Sequence, residues 1–195
     1  LHPYFLDSFQ EQHLQDLRKL LKQYQNQVVA LGEIGLDTAI DIDWQTQLDV
    51  FSQQLDLAKE CNLPVILHHR KSHNELIQAI KNQRFEHGGI VHAFSGSLQQ
   101  AQTYIDLGFK LGVGGGITYA RANKTRQTFS QVPISSLVLE TDAPDMPLNG
   151  KQGSRNSPEN LPEIFDCLAS IRAESAQVLR QHLCQNTVSV LKNME

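Results

Sequence analysis

The sequence places four side chains that bind divalent metal ions well at or just after the ends of predicted β-strands. These side chains are Glu33, His68, His92 and Asp142. A lone histidine at a strand end is more often a hydrogen-bonded core residue, but four such positions in one chain favour a metal site. Imidazole nitrogens and carboxylate oxygens suit Zn²⁺, Mn²⁺ and Fe²⁺, and carboxylates together with water suit Mg²⁺. We therefore predict that these four residues are metal ligands.

A divalent cation at these residues gives them a hydrolytic chemistry. The cation lowers the pKa of water from 15.7 to about 7, which makes hydroxide available at neutral pH. Glu33 can bridge two metal ions, and Asp142 can accept the proton that the water releases. The sequence has neither a Gly-x-Ser-x-Gly turn nor a cysteine–histidine pairing, which are typical of covalent nucleophiles. We predict hydrolysis by a metal-activated water, with Asp142 and Glu33 as catalytic residues.

The elements that carry these residues alternate between short β-branched runs and longer stretches of helical period. Strands are predicted at 28–33, 65–68, 90–93, 110–113 and 137–141. Helices are predicted at 44–62, from Ser72, and at 97–107, 121–131, 158–172 and 174–191. This alternation is typical of βα units that build a parallel sheet. Since active sites form at the carboxyl ends of parallel strands, we expect the four candidate ligands to converge.

Two α/β architectures fit this order of elements, an open doubly wound sheet and a TIM-type (β/α) barrel. A barrel takes about 250 residues, and three further units of roughly 20 residues added to this chain approach that length. The arithmetic favours a barrel that lacks its first three strands here, in one domain over residues 1–195. Leu1-His2-Pro3 resembles the exit of a strand, so we expect that further sequence precedes it.

Composition excludes several classes of protein. The 195 residues carry a net charge of −4, and 40% of them are apolar. The apolar stretches are far shorter than the ~20 residues of a membrane span, and three cysteines without CxxC spacing make no disulfide framework. A mildly acidic chain is also a poor candidate for coating duplex DNA by charge. We expect a cytoplasmic protein with no membrane association and no obligate protein partner.

Five ordered motifs carry a resemblance to a known family. They are GEIGLD at 32–37, PVILHHR at 64–70, GGIVHAFSGS at 88–97, GVGGGITY at 112–119 and LETDAPDMPLNG at 139–150. In this order and spacing they resemble the TatD family of metal-dependent deoxyribonucleases, within the amidohydrolase superfamily. The stretch at 118–126 and the DMPL segment are most similar to its YjjV-like branch. The resemblance extends through the whole chain.

The resemblance implies a TIM-type barrel that hydrolyses phosphodiester bonds of DNA, commonly from a 3′ end. It implies two divalent metal ions, Zn, Mg or Mn, per complete site. Glu33 would be the bridging carboxylate, His68 and His92 would each bind one metal ion, and Asp142 would be both ligand and general base. His2, from an HP segment, would lie near the substrate. The partners implied are DNA ends or a small phosphodiester.

Two arginines are candidates for binding the substrate phosphate. Arg70 lies two residues beyond His68 and would point to the same side of its strand; the alternative is an ion pair at the rim. Arg155 belongs to an Arg-Asn-x-Pro segment that resembles the corresponding segment of the family. The alternative is that Arg155 stabilises its own loop. A cation beside an acidic metal site suits an anionic substrate.

The chain departs from the family pattern at one point, because no His-x-His pair is present on a first strand. The adjacent His68 and His69 cannot replace it, since neighbouring residues of a strand face opposite sides. Two alternatives to a nuclease therefore remain open. The same site could hydrolyse a small amide or ester, or the chain could be an inactive truncated barrel.

Overall fold

The computed structural model describes residues 1–191, which divide into two compact units. The first unit comprises Leu1–Ile90 and the chain from Ser189, and the second comprises Val91–Val188. The boundary falls inside the third strand. The prediction of one domain over residues 1–195 stays a prediction, and its last four residues lie outside the described part of the chain.

The first unit contains the early βα elements. They are a 3-10 helix at Pro3–Ser8, α1 at Glu11–Gln23, β1 at Leu31–Asp37, α2 at Trp44–Glu60, β2 at Val65–Arg70, α3 at His73–Asn82 and the first residues of β3, Gly89–Val91. Strands β1 and β2 are parallel, with Gly35 opposite His68 and Asp37 opposite Arg70. The strand order in this unit is β1-β2-β3. Helix α2 packs on β1.

Strand β1 is longer than predicted and irregular. The register steps from Leu31 opposite Val65 to Ile34 opposite Leu67, so β1 has one residue more than β2 over this span. Such a bulge redirects a side chain next to it. Glu33 therefore lies inside β1 and not at its end, which corrects the predicted strand boundary, and Asp37 is the residue at the carboxyl end.

Gly35 lets the two strands come together. Its φ is +151°, and a Cβ at this position would lie 2.0 Å from the backbone oxygen of His68. A side chain here would displace the strand that carries His68, so the second glycine of the GEIG motif is needed for the position of that histidine.

The second unit continues the alternation. Its elements are the end of β3, α4 at Leu98–Asp106, β4 at Phe109–Val113, α5 at Asn123–Gln131, β5 at Leu137–Leu139, α6 at Leu161–Ala169 and α7 at Ala176–Val190, with short 3-10 helices at Gly115–Thr118, Ile134–Ser136 and Pro158–Asn160. Strands β4 and β5 are parallel, and the order in this unit is β3-β4-β5. Both units thus confirm the α/β class with parallel strands. The TIM-type barrel stays a prediction.

The serines that precede helices α4 and α3 make different hydrogen bonds. Ser97 and Gln100 form a reciprocal capping box at the start of α4. Ser72, the residue before α3, makes no such capping bond, and its hydroxyl donates instead to the Leu36 carbonyl, at 2.6 Å. That bond ties the end of β2 to β1, because a buried hydroxyl needs a partner and the β1 carbonyl is within reach.

Two expectations from composition can be compared with the structure. Cys61, Cys167 and Cys184, all among the described residues 1–191, are not joined in disulfide bonds. Within residues 1–191, no helix has the length and apolar character that crossing a membrane requires.

Candidate functional site

In the first unit, His2, Glu33, Asp37 and His68 lie together, and we call them the His68 group. His68 Nε2 is 3.0 Å from Asp37 Oδ2, and its Nδ1 is 3.7 Å from Glu33 Oε2. His2 Nε2 lies 3.8 Å from the same Glu33 oxygen. The Asp37 side chain is fully buried, whereas that of Glu33 is 30% exposed. His68 therefore lies between an inaccessible carboxylate and an accessible one.

The hydrogen bonds of the two histidines fix which nitrogen is free to bind a metal ion. A carboxylate only accepts, so when the ring of His68 is neutral its Nε2 donates to Asp37 and its Nδ1 has the lone pair that faces Glu33. His2 Nδ1 accepts the backbone N–H of Tyr4 at 3.1 Å, so its Nε2 carries the proton. His68 is thus suited to be a metal ligand through Nδ1, and His2 is suited to donate a hydrogen bond; its place near the substrate stays a prediction.

The pKa values in this group follow from burial and these contacts. Burial opposes the charged imidazolium of His68, but hydrogen bonds to Glu33 and Asp37 outweigh it and raise the pKa of His68 above 6.5. Burial likewise opposes the charged carboxylate of Asp37, yet the bonds from His68 and from the Ala39 N–H lower its pKa. The pKa of His2 is lowered by burial and by the neighbouring His68. Asp37 is therefore a stable negative charge behind His68.

In the second unit, His92, Glu140 and Asp142 form a second cluster, which we call the His92 group. His92 Nδ1 is 2.8 Å from Glu140 Oε2, and Nε2 is 3.0 Å from Asp142 Oδ1. The Glu140 side chain is 16% exposed and that of Asp142 is 31% exposed. Glu140 also accepts the backbone N–H of Ala93, next to the histidine, at 2.6 Å. Glu140 thus holds both the imidazole ring and the backbone beside it.

The His92 group has the donor set of a metal site. A neutral imidazole donates from one nitrogen only, so His92 can satisfy one of its two carboxylates. If Nδ1 donates to the more buried Glu140, the Nε2 lone pair faces the Asp142 oxygen, and a cation between them satisfies both. A carboxylate behind the imidazole of a metal-binding histidine is a common arrangement, which fixes the tautomer and raises ligand basicity. The residues present therefore fit a divalent cation.

The glycines of the GVGGG segment make room for Glu140. A Cβ on Gly112 would lie 2.5 Å from Glu140 Oε2, and one on Gly114 would lie 3.1 Å from Glu140 Oε1. Side chains at these positions would displace the carboxylate that orients His92. The backbone at Gly112 and Gly114 therefore comes close to the Glu140 carboxylate.

The two predicted phosphate-binding arginines lie in different surroundings. Arg70 is exposed, and its Nη1 is 3.4 Å from the Tyr4 hydroxyl. Arg155 is exposed in the loop after β5, where a shallow pocket is lined by Pro144 and Ser157. Their role in substrate binding stays a prediction.

The residue beside Arg155 shapes the loop that follows Asp142. Asn156 is buried, and its side-chain amide donates to the carbonyls of Asp145, at 2.8 Å, and Met146, at 3.2 Å. Its backbone N–H donates to the Pro144 carbonyl at 2.9 Å. Asn156 therefore fixes the path of the chain just beyond Asp142.

Sequence reasoning missed two members of these groups, Asp37 and Glu140. Both residues stood inside the motifs GEIGLD and LETDAP, yet neither was assigned a role. The available signal was a second carboxylate in each motif, four residues after Glu33 and two before Asp142. The prediction that Glu33, His68, His92 and Asp142 all share one metal site stays a prediction.

The chain belongs to the TatD family, because the family described as TatD related DNase matches residues 1–192. It is a metal-dependent hydrolase of that family. In particular, the chain is similar to the protein of Escherichia coli K12 named uncharacterized metal-dependent hydrolase YjjV, with 46% identity over 191 residues, 97% of this chain and 74% of that protein. The recognised family and its YjjV-like branch are thereby confirmed.

Two further similarities bear on structure and activity. The crystal structure of Escherichia coli YjjV, described as a TatD homologue, matches with a TM-score of 0.95 over 98% of this chain and 74% of that chain. The protein of Yersinia pseudotuberculosis named 3′-5′ ssDNA/RNA exonuclease TatD is 33% identical over 199 residues, 98% of this chain and 76% of that protein.

Proposed function

We propose that this metal-dependent hydrolase cleaves phosphodiester bonds at the 3′ ends of single-stranded nucleic acid, using two divalent metal ions in a TIM-type barrel. The similarity to the Yersinia exonuclease supports this choice of substrate, and the strand–helix alternation in each unit supports the barrel. The ions would be Zn²⁺, Mn²⁺ or Mg²⁺, one at the His68 group and one at the His92 group.

The observation that carries the proposal is the position of His92 between two carboxylates. Without a cation, one of the two short contacts, 2.8 Å to Glu140 or 3.0 Å to Asp142, lacks a proton whenever the ring is neutral. With a cation, Nε2 and the Asp142 carboxylate become ligands. The arrangement therefore favours metal binding over a purely structural histidine.

Each residue of the two groups then has a defined task. A bound divalent cation supplies hydroxide from water at neutral pH and offsets negative charge on the phosphoryl oxygens. Asp142 accepts the proton released by the water, because it is the more accessible carboxylate of its group. Glu33 and His68 Nδ1 would hold a cation in the first unit. Asp37 and Glu140 hold the imidazole rings in the orientation that directs these lone pairs.

Three side chains serve the substrate. His2 donates its Nε2 proton to a phosphate oxygen, and the bond from the Tyr4 N–H keeps it in the tautomer that can do so. Arg70 and Arg155 place positive charge on the surface for an anionic strand. With a net charge of −4, the chain has to bind nucleic acid through such local cations. This suits strand ends better than long duplexes.

The decisive experiment supplies the chain with Mn²⁺, Mg²⁺ or Zn²⁺ in turn and measures release of nucleotides from single-stranded DNA labelled at its 5′ end. We expect ladders that shorten from the 3′ end and that disappear when EDTA removes the metal.

Parallel assays with 4-nitrophenyl esters and anilides test the alternative chemistry of the same site. Turnover of these acyl compounds without any cleavage of phosphodiesters would contradict the proposal and favour an amide or ester hydrolase. Absence of metal binding in calorimetry would indicate an inactive chain.

A further inference from the structure

We propose that a cavity in the second unit is a subsite for one nucleobase of the substrate, a proposal that rests on the phosphodiesterase function. The cavity has a volume of about 400 Å³ and lies between the 3-10 helix Gly115–Thr118, the start of α5 and the loop after Asp142. Glu140 and Asp142 line it as well. A group bound in this cavity therefore lies directly beside the carboxylate that we propose as proton acceptor.

The walls of the cavity suit a flat apolar group. They include Phe94, Ile117, Tyr119, Phe129, Met146 and Pro147. Phe94 and Phe129 lie with ring centroids 6.0 Å apart, and both are buried, so this wall is rigid. The Tyr119 hydroxyl donates to the Pro147 carbonyl at 2.7 Å, which fixes its ring. Because Phe94 and Phe129 are buried, the half-buried Tyr119 is the ring whose face can stack on a nucleobase.

A cation lies beside the aromatic part of the cavity, whereas Glu140 and Asp142 place negative charge at another part of its lining. The Arg121 guanidinium lies over the Tyr119 ring, with Cζ 4.9 Å from the centroid. This pair combines an aromatic face with a positive charge, as binding sites for single-stranded nucleic acid commonly do. A neutral apolar ligand would gain nothing from the guanidinium, whereas an anionic nucleotide gains from both parts.

The size and polarity of the cavity set its selectivity. A volume near the lower end of the usual range for ligand pockets holds one nucleoside and not an oligonucleotide. The Tyr119 hydroxyl donates its proton to the Pro147 carbonyl, so it has no second proton to donate to the edge of a base. We therefore expect binding of one terminal nucleotide with little preference for the base.

Gly116 provides a way to fill the cavity without strain. It lines the cavity, and a Cβ built on it meets no atom within 4 Å. Because Gly116 lines the cavity, Gly116→Leu is designed to add a bulky side chain at its wall, and Gly116→Ala is the matched control that changes the backbone in the same way. Met146→Ala is a second variant, which removes part of the wall at a side chain that is 47% exposed.

The test compares binding of thymidine 5′-monophosphate and 2-deoxyribose 5-phosphate by calorimetry, in the presence of Mn²⁺. The two ligands share sugar and phosphate and differ in the base. We expect the nucleotide to bind about 10-fold more tightly. Gly116→Leu should reduce this ratio to below about 3-fold, Gly116→Ala should preserve it, and Met146→Ala should lower it.

Equal affinity of the parent chain for the two ligands overturns the subsite, as does an unchanged ratio in both Gly116→Leu and Met146→Ala. Circular dichroism verifies that each variant is folded; should Gly116→Leu unfold, Met146→Ala decides the question. Failure of the proposed function gives a different result. In that case the chain does not cleave DNA, whereas the ratio of the two binding constants is unchanged.

Discussion

The His68 group and the His92 group use the same components with the two ring nitrogens exchanged. In each, one imidazole lies between a more buried and a more accessible carboxylate. In the first unit the buried Asp37 takes Nε2 of His68 and leaves Nδ1 for a metal ion. In the second unit the buried Glu140 takes Nδ1 of His92 and leaves Nε2. The position of the buried carboxylate thus decides which nitrogen is left to act as the proposed metal ligand.

The two groups differ in the backbone N–H from which the buried carboxylate accepts a second hydrogen bond. Asp37 accepts the backbone N–H of Ala39, two residues further along its own chain segment, at 2.7 Å. Glu140 accepts the N–H of Ala93, adjacent to the histidine that it orients, at 2.6 Å. Glu140 therefore contacts both the ring of His92 and the backbone next to it. The Asp37 side chain contacts the ring of His68 but bonds to backbone of its own segment and not to that of the histidine. We expect the His92 group to depend more strongly on its buried carboxylate.

The largest effect is expected from the accessible carboxylate of the His92 group. Asp142→Asn removes the proposed proton acceptor and a charged metal ligand, and we expect activity to fall by about 10³-fold. Steady-state hydrolysis of a phosphodiester measures this loss. Asp145→Asn, three residues away and exposed, is the matched control and should retain parent activity. Comparable activity of Asp142→Asn and Asp145→Asn would contradict the assignment.

Replacing the buried carboxylate of the same group should have the next largest effect. Glu140→Gln keeps the size of the side chain but no longer provides a charged acceptor for His92 Nδ1, so we expect metal affinity to fall about 10- to 100-fold. Calorimetric titration with Zn²⁺ measures the change. A Glu140→Gln chain with parent affinity would show that Glu140 does not orient the ligand nitrogen.

The corresponding change in the first unit should have a smaller effect. Asp37→Asn replaces the charged acceptor of His68 Nε2 with a neutral one but leaves the backbone around the histidine in place, and we expect about a 10-fold loss of metal affinity. The same titration measures it. The contrast between the two groups disappears if Asp37→Asn costs as much affinity as Glu140→Gln.

The smallest effect concerns pH in the metal-free chain. Because the pKa of His68 is raised in the folded state, the imidazolium stabilises the fold below pH 6.5, and this contribution is lost as pH rises through the folded pKa. Urea unfolding across about pH 5 to 9 should show stability decreasing with pH, relative to His68→Gln.

His87→Gln is the matched control for that profile, since His87 is exposed. It should retain the pH dependence of the parent. A parent profile that runs parallel to that of His68→Gln would mean that the carboxylates near His68 do not favour its charged form.

Much of the fold could be predicted from periodicity. The strand and helix alternation from β1 onward followed the sequence pattern, with ends displaced by a few residues. The bulge in β1 was not predictable, because it depends on pairing with β2 and not on local pattern. Helix α1 was also missed, although its buried Leu14 and Leu21 and the intervening Leu17 have helical spacing.

The candidate site could be predicted only in part. Glu33, His68, His92 and Asp142 stood out because metal-binding side chains near strand ends form a recognisable pattern. Asp37 and Glu140 did not, because their role depends on distance across strands. Glu140 reaches His92 over 48 positions of sequence, through space that Gly112 and Gly114 leave open. Such proximity is a property of the folded chain.

The bonds of Asn156 have a practical consequence for protein engineering. They anchor the return of the long loop after β5, and buried Leu148 anchors its middle. These two anchors limit how far a displacement of the exposed tip between Gly150 and Ser154 is transmitted to Asp142. Exposed tips of this kind tolerate inserted sequence, so an epitope or a fluorescent label grafted there should leave the hydrolytic chemistry undisturbed.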